Sequence, residues 1–430
     1  MPSSHTLDRV AVTFDDDHAV ANAGLLLTAS LAQHLGLEQL ADDVVDLAGR
    51  PGSGRAGAKV MTLVHSIAIG GDCIDDVDVL RCGSTSAVLG HRVLAPSTIG
   101  TFLRSFTFGH VRQLDCLTGD ALTRAWTAGA GPGDTPMTID LDSTIEAVHG
   151  YAKQGAEFGH TRQRGYHPMV ATRAETGEVL HCRQRAGSAN TARGSVRFLD
   201  ELVARVHRAG ATGQLTLRAD SGFWSKKFIK ACVRHKMLFS LTVRAFPHVR
   251  AVLDAIPEEA WVDIDYTPGG RAQLAEAALD GYRLIVRRTR LVGRQATLWP
   301  DWRHHAFITN RPGAMVDLDV DHRAHAVVEL AIRDLKEGSG WNHAPSGNFA
   351  ANSAWLVVAA LAHNLLRWTT LIGGLAPGTV VAKTVRRRYL TLPGRLTRSA
   401  RRTTLHLPKR WPRPRAFTAA LSSIRAVALC

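Results

Sequence analysis

The sequence predicts an α/β core preceded by an N-terminal helical domain, interrupted by a β-rich insertion and followed by a basic C-terminal segment. Three observations carry this reading. Strand-like and helix-like patterns alternate between residues 131 and 245. Short alternating runs and turns replace them between 246 and 321. Beyond Glu337 there is no acidic residue at all. A chain of 430 residues exceeds one ordinary core, so several domains are expected. With 45% hydrophobic and 21% charged residues it has a soluble, globular profile.

Residues 1–130 read as helices. "ANAGLLLTASLAQHLGLEQLADDVVDL" has helical apolar spacing, "AGAKVMTLVHSIAIGGD" is a second helix stopped by Gly70 and Gly71, and "CIDDVDVLRCG" is a short third. "APSTIGTFLRSF" places Ser97 as the N-cap of a fourth, which carries Arg104. Short helices with tight turns fit a helix-turn-helix DNA reader or a plain helical domain. "TAGAGPGDTP" is a linker.

In 131–245, "TIDLDSTIEAV" is a strand, and "YHPMVATRA" and "EVLHCRQRA" form a hairpin around "ETG". "TARGSVRFLDELVARVHRA" is a helix, "GQLTLRAD" a strand, "SKKFIKACVRHK" a helix and "LFSLTVRA" a strand. An antiparallel hairpin joined to parallel crossover strands results, which is also the order of a ribonuclease H-like core. Residues 246–321 read as an inserted β-rich subdomain. Helix returns at "DHRAHAVVELAIRDLKEG", so 322–375 completes the core and 376–430 is the basic segment.

Six cysteines lie far apart with no CxxC, which argues against a zinc ribbon and fits a reducing cytoplasm. The N-terminus lacks a signal-peptide core. "SAWLVVAALAHNLLRW", Ser353 to Trp368, is short for a membrane span and contains His363 and Asn364, so it reads as a buried helix. No membrane partner is expected.

The net charge is +14, from 52 Lys and Arg against 38 Asp and Glu. All of the excess comes after Glu337, where 14 basic residues stand without an acid. Arg386, Arg387, Arg388, Arg401, Arg402, Lys409 and Arg410 are the densest part. Such a block fits a polyanion, nucleic acid foremost, or else a solvated tail. Leucines and threonines alternating with the arginines predict short strands with one basic face.

Three places carry chemistry. In "TIDLDSTI" strand alternation puts Asp140, Asp142 and Thr144 on one face, the two carboxylates roughly 7 Å apart. In "RADSGFWS" Asp220 ends an apolar strand, where open α/β sheets build their sites. On a helix from Asp321 to Glu337, His322, His325, Glu329 and Lys336 fall within about 60° of each other beside an apolar stripe. His322, His325 and Glu329 could alternatively present a zinc site. Three converging carboxylates repel unless cations neutralise them. Oxygen ligands with room for water suit Mg²⁺ or Mn²⁺, and two such ions can clamp a phosphodiester.

Those segments, with "TIDLDSTIEAVHGYAKQGAEFGHTRQRGYHPMVATRAETGEVL" and "HRAHAVVELAIRDLKEGSGWNH" the longest, resemble the DDE transposases of bacterial insertion sequences, specifically the thirteen-eighty insertion-sequence family. The resemblance implies catalytic, metal-binding Asp142, Asp220 and Glu329, two Mg²⁺ or Mn²⁺ ions, and cut-and-paste transposition with no covalent protein–DNA intermediate. It implies double-stranded DNA as partner, at transposon terminal inverted repeats and at the target, and a homodimer on DNA. The family's usual Asp-x-Thr selects Asp142, leaving Asp140 to support it. Relatives carry Tyr and Arg where this chain has His322 and His325, while Glu329 and Lys336 are kept. Trp299 or Trp302 is expected either to stack on a flipped base or to plug the core. A structure-selective nuclease and an inactive DNA-binding relative are the alternatives.

Overall fold

The central feature is a mixed nine-stranded sheet. The structure, a computed structural model, describes residues 10–159, 162–266, 270–291, 302–376 and 378–430. Before the sheet come α1 (Leu25–His34), α2 (Leu37–Val44), α3 (Ala56–Ala68), α4 (Thr85–Leu89), α5 (Pro96–Arg104) and α6 (Phe108–Ala125), with a two-residue strand β1 (Ala19–Val20) ahead of them. Gly36, at φ 58°, splits the first expected helix in two. Asp75–Arg81 is a 3-10 helix rather than an α-helix. Ser97 is not an N-cap: Pro96 opens α5 and Ala95 caps it, because proline's fixed φ suits the first helical position.

The sheet strands are β2 (Met137–Ser143), β6 (Met169–Arg173), β7 (Val179–Arg183), β8 (Leu215–Ala219), β9 (Leu238–Thr242), β10 (Val262–Ile264), β11 (Gly270–Leu279), β12 (Tyr282–Leu291) and β13 (Arg303–Thr309). A small sheet of β3 (Glu146–Ala147), β4 (Glu157–Phe158) and β5 (Arg164–Tyr166) lies between β2 and β6 in the chain. The order across the large sheet is β10-β11-β12-β13-β9-β8-β2-β6-β7. β2 pairs parallel with β8 and antiparallel with β6, while β8 pairs parallel with β9. The crossovers are α7 (Ser195–Arg208) and α8 (Lys226–Arg234). The expected strand through Val148 stops at Ser143, and Glu146 and Ala147 join the small sheet instead.

Residues 246–321 do not form a sheet of their own. They begin with α9 (Pro247–Asp254), and β13 then pairs antiparallel with β9, so the inserted strands continue the core sheet. The expected helix Asp321–Glu337 is also divided. α10 (Met315–Arg323) and α11 (Val327–Gly338) are separated by a 3-10 turn at Ala324–Ala326. The break rotates the wheel: Val328, Ile332 and Leu335 face the core, whereas Val327 and Leu330 are exposed.

α12 (Phe349–Ile372) is long and apolar enough to cross a membrane, yet 89% of its most apolar window is buried inside this protein. It packs against α1, α3, α5, α6 and β7, which makes it the axis joining the N-terminal helices to the sheet. Glu178, fully buried at the β6–β7 turn, fastens that joint. Its carboxylate accepts from Trp126 Nε1 at 3.1 Å and Trp368 Nε1 at 2.8 Å, with Arg173 alongside. α13 (Ala382–Val385), a hairpin of β14 (Gly394–Ser399) and β15 (Arg402–His406) against β1, and α14 (Pro414–Arg425) end the chain.

Glu178→Ala strands two buried indole N–H groups, so it is expected to lower unfolding free energy by about 3 kcal/mol or more. Glu178→Gln, which keeps one acceptor, should cost less. Urea midpoints measure both, and a wild-type midpoint for the alanine variant refutes the joint.

Candidate active site

Register decides which aspartates meet. Asp140 pairs with Arg218 and Leu141 with Ala219 across β2 and β8, so Asp142 comes level with Asp220 just beyond the ladder. α11 packs over β2 and brings Glu329 to the same place from above. The Asp142 carboxyl is pushed up to about 6 by burial first, and then by the charges of Asp220 and Glu329, against the opposing Ser143 N–H and His325. Asp142 and Asp220 are half-buried and Glu329 is exposed.

The turn after Asp220 is shaped by close packing. Asp220 Oδ1 accepts from Gly222 N at 3.0 Å. A Cβ on Gly222 would meet the Thr191 side chain at 2.8 Å, so only glycine fits there.

Asp140 has another task. It is buried, and it receives Arg218 Nε and Nη2, both at 2.8 Å, together with His325 Nδ1 at 2.8 Å. Arg218 Nη1 continues to the Asp321 carbonyl at 2.7 Å, and Asp321 also receives Arg311. A carboxylate saturated this way holds the two strands and the Ala324–Ala326 turn together rather than offering a free ligand oxygen. Arg218 is not among the residues that sequence patterns single out. A signal was present, because "DLD" and "RAD" put opposite charges two residues before each strand-end aspartate.

His322 does not face an ion. Its ring nitrogens meet Ser240 Oγ at 2.7 Å and Thr242 Oγ1 at 3.1 Å, and it stacks on Phe307 with centroids 4.1 Å apart. Burial, then the positive surroundings of His325, Arg287, Arg218 and Arg311, lowers it to about 3, so it is neutral. The zinc arrangement of His322, His325 and Glu329 is therefore corrected at His322, both of whose ring nitrogens are engaged with the sheet, while His325 turns Nδ1 to Asp140. Lys336 reaches under the site and donates to the Ile145 carbonyl at 2.8 Å. Burial lowers its ammonium against the pull of Glu146 and Asp142.

Two clefts flank the carboxylates. One of about 670 Å³ lies on the Glu329 side, lined by Tyr266, Arg287, His305, His322 and His325. The other, of about 620 Å³, is lined by Ser143, His167, Thr191, Asp220, Arg244 and Lys336. Arg185, buried behind that second wall, donates to the carbonyls of His167, Asn190, Thr191 and Arg193. In the first cleft Arg287 and Arg323 are both paired with Asp319.

The other expected residues divide. Arg387, Arg388, Arg401, Arg402, Lys409 and Arg410 are exposed. Arg386 does not lie free at the surface: its guanidinium donates to the Ala68, Ile67 and Gly338 carbonyls, tying the C-terminal segment to α3 and α11. Trp302 is half-buried, with Arg288 and Arg290 over its ring at 4.4 and 4.6 Å, so cations already cover it. Trp299 lies outside the described residues.

The donor set of Asp142, Asp220 and Glu329 fits Mg²⁺ or Mn²⁺: it offers carboxylate oxygens only, and their mutual repulsion is what a cation relieves. Among the described residues a tighter cluster exists at Asp115, His181 and Glu201, whose ligand atoms lie within 4.8 Å of one another. Arg112 and Arg205 already pair with Asp115, and Arg183 and Arg197 with Glu201. Burial would raise the Asp115 carboxyl, but His181, Arg205 and Arg112 outweigh it and hold it well below the usual range. This is an ion-pair lock between α6, β7 and α7.

Since Asp142 has a folded pKa above the ordinary carboxylate value, folding disfavours its charged form. The penalty is absent below the ordinary value, grows as pH rises towards 6, and is full above it. Without divalent ions, Asp142→Asn is expected to melt above wild type near neutral pH, the gap closing at about pH 4. Differential scanning calorimetry across that range tests it, and a lower melting temperature at neutral pH refutes the penalty on the charged form.

No curated protein matches the sequence. Among solved structures the chain is similar to a piggyBac transposase synaptic complex with hairpin DNA, seen by cryo-electron microscopy. The TM-score is 0.47 at 13% identity, over 86% of this chain and 79% of that one. Residues 3–429 match the family described as Transposase DDE domain group 1, and the chain belongs to that DDE transposase family.

Proposed function

We propose that this protein is a cut-and-paste DNA transposase of the thirteen-eighty insertion-sequence type, built on a ribonuclease H-like core and working on bacterial DNA in the cytoplasm. The observation that carries the reading is the meeting of Asp142, Asp220 and Glu329 between two clefts in a chain of the DDE family. The three carboxylates would hold two Mg²⁺ or Mn²⁺ ions. Bound there, such ions neutralise charge on the attacking and leaving oxygens of a phosphodiester.

The protein's own residues do the rest. Asp140, Arg218 and His325 keep β2, β8 and the α11 entry at fixed spacing. Lys336 places a cation beneath the strand-end carboxylates. Water attacks the phosphodiester at the element end, and the freed 3′-hydroxyl later attacks target DNA. No residue forms a covalent link to DNA. The exposed arginines of the C-terminal hairpin bind the backbone of double-stranded DNA at the terminal inverted repeats, where the protein acts as a homodimer.

Asp142→Asn, Asp220→Asn and Glu329→Gln should each reduce Mg²⁺-dependent nicking of an element end by more than the ~10–100-fold that losing an outer partner of a metal ligand costs. End binding should stay near wild type. Substantial nicking by any one of them removes that residue from the site. Cleavage without preference for the inverted repeats would instead indicate a structure-selective nuclease.

Deleting the C-terminal segment is a poor test of DNA binding, because Leu390, Phe417 and Ile424 are buried. Changing exposed Arg398, Arg401, Arg402, Lys409 and Arg410 to Gln leaves that packing alone. The log–log salt slope of end binding should flatten by about 0.9 for each phosphate that is no longer neutralised. An unchanged slope means the segment is only solvated.

A further inference from the structure

An aromatic patch stands beside the Asp220 cleft that the transposase reading does not use. Trp224, four residues after Asp220, stacks on Phe246 with centroids 5.7 Å apart and planes at 25°. His248 lies 6.0 Å from Trp224 and 6.1 Å from Phe246, with planes within 32° of both. Phe246 is 46% exposed and His248 is exposed, whereas Trp224 is anchored against the core on one side. Three near-parallel rings held at a surface cost hydration free energy and offer flat apolar faces to a ligand.

The surroundings are cationic. Arg244, two residues before Phe246, lines the Asp220 cleft and is exposed. Lys226 and Lys227 open α8 just past Trp224 and the N-cap Ser225, and are exposed too. Among the described residues none of these three cations has a carboxylate at ion-pair distance. The Glu329-side cleft differs, since Arg287 and Arg323 there share a carboxylate partner, Asp319. Flat apolar faces ringed by uncompensated cations match unpaired nucleobases on a phosphate backbone. A duplex keeps its base faces stacked inside and could use only the cations.

We propose that Trp224, Phe246 and His248 form a stacking shelf for unpaired bases of a DNA strand leaving the Asp220 cleft, with Arg244, Lys226 and Lys227 on its phosphates. The strand's direction follows: backbone on the Asp220 side, where Arg244, Lys226 and Lys227 have no carboxylate partner among the described residues, and away from the Glu329 cleft, where both arginines are held by Asp319. The proposal rests on the transposase reading but is tested separately from it.

The test titrates the full-length protein with a short oligothymidylate, with a paired element end, and with the same end carrying an unpaired flank. Phe246→Ala and Trp224→Ala are each expected to weaken oligothymidylate binding ~5-fold or more, the lower range for one lost base stack. Both should erase the advantage of the unpaired flank over the paired end, and leave paired-end affinity unchanged. Phe246→Ala should melt with the wild type, so the result does not depend on how Trp224→Ala folds. Unchanged oligothymidylate affinity in Phe246→Ala overturns the shelf, as does an equal loss on single-stranded and paired DNA. If the wild type nicks no element end with Mg²⁺, the transposase reading fails, while oligothymidylate binding still decides the shelf.

Discussion

The pair of Asp140 and Arg218 is the constraint on which the site depends. A carboxylate this deep is costly unless every oxygen has a donor. Arg218 supplies two parallel N–H bonds from the facing position of β8, and His325 supplies a third from the turn before α11. The pair therefore fixes three things at once: the register of the two aspartate strands, their spacing, and the direction in which the Glu329 helix departs. The mutually repelling carboxylates Asp142 and Asp220 stand two residues beyond this paired layer on their strands, and Glu329 four residues beyond His325.

The polarity of the site follows from which charges are already satisfied. Asp319 holds Arg287 and Arg323, and His322 is kept neutral between Ser240, Thr242 and Phe307. In the Glu329-side cleft both arginines are thus tied to one carboxylate. Across the carboxylates, Arg185 is bonded to carbonyls, and Arg244 and Lys336 line the same cleft. Two clefts of similar volume thus differ in whether their arginines have a carboxylate partner among the described residues.

Much of this was legible in the sequence, and the failures have physical causes. Strand alternation put Asp140 and Asp142 on one face and strand-end position drew attention to Asp220, because both are local patterns, but only the family resemblance chose Asp142 over Asp140. The partner of Asp140 was not local: Arg218 lies 78 residues away, and only strand pairing brings it near. The break before α11 left no trace either, since "DHRAHAVVEL" contains neither glycine nor proline. Tertiary bonds at His322 and His325 accompany it instead. The strand-like runs of the insertion did form strands, while α9 and α10 at its two ends were not read as helices; which sheet the strands would join depends on an edge that no local pattern names. Arg386 looks like Arg387 and Arg388 in sequence, but only its position against α3 turns it inward.

The seam between insertion and core has a mechanical consequence. Phe307, Ile308 and Thr309 pair with Thr242, Leu241 and Ser240, and the join is reinforced by Thr309 Oγ1 on the Phe239 carbonyl and by Asn310 on both Phe239 and Met237. Strands joined in this manner behave as one beam. The inserted arm cannot swing on a hinge, because swinging would rupture the ladder. It can follow a bound substrate only by twisting, and torque applied at its far end arrives at Ser240 and Thr242, the two hydroxyls that grip His322.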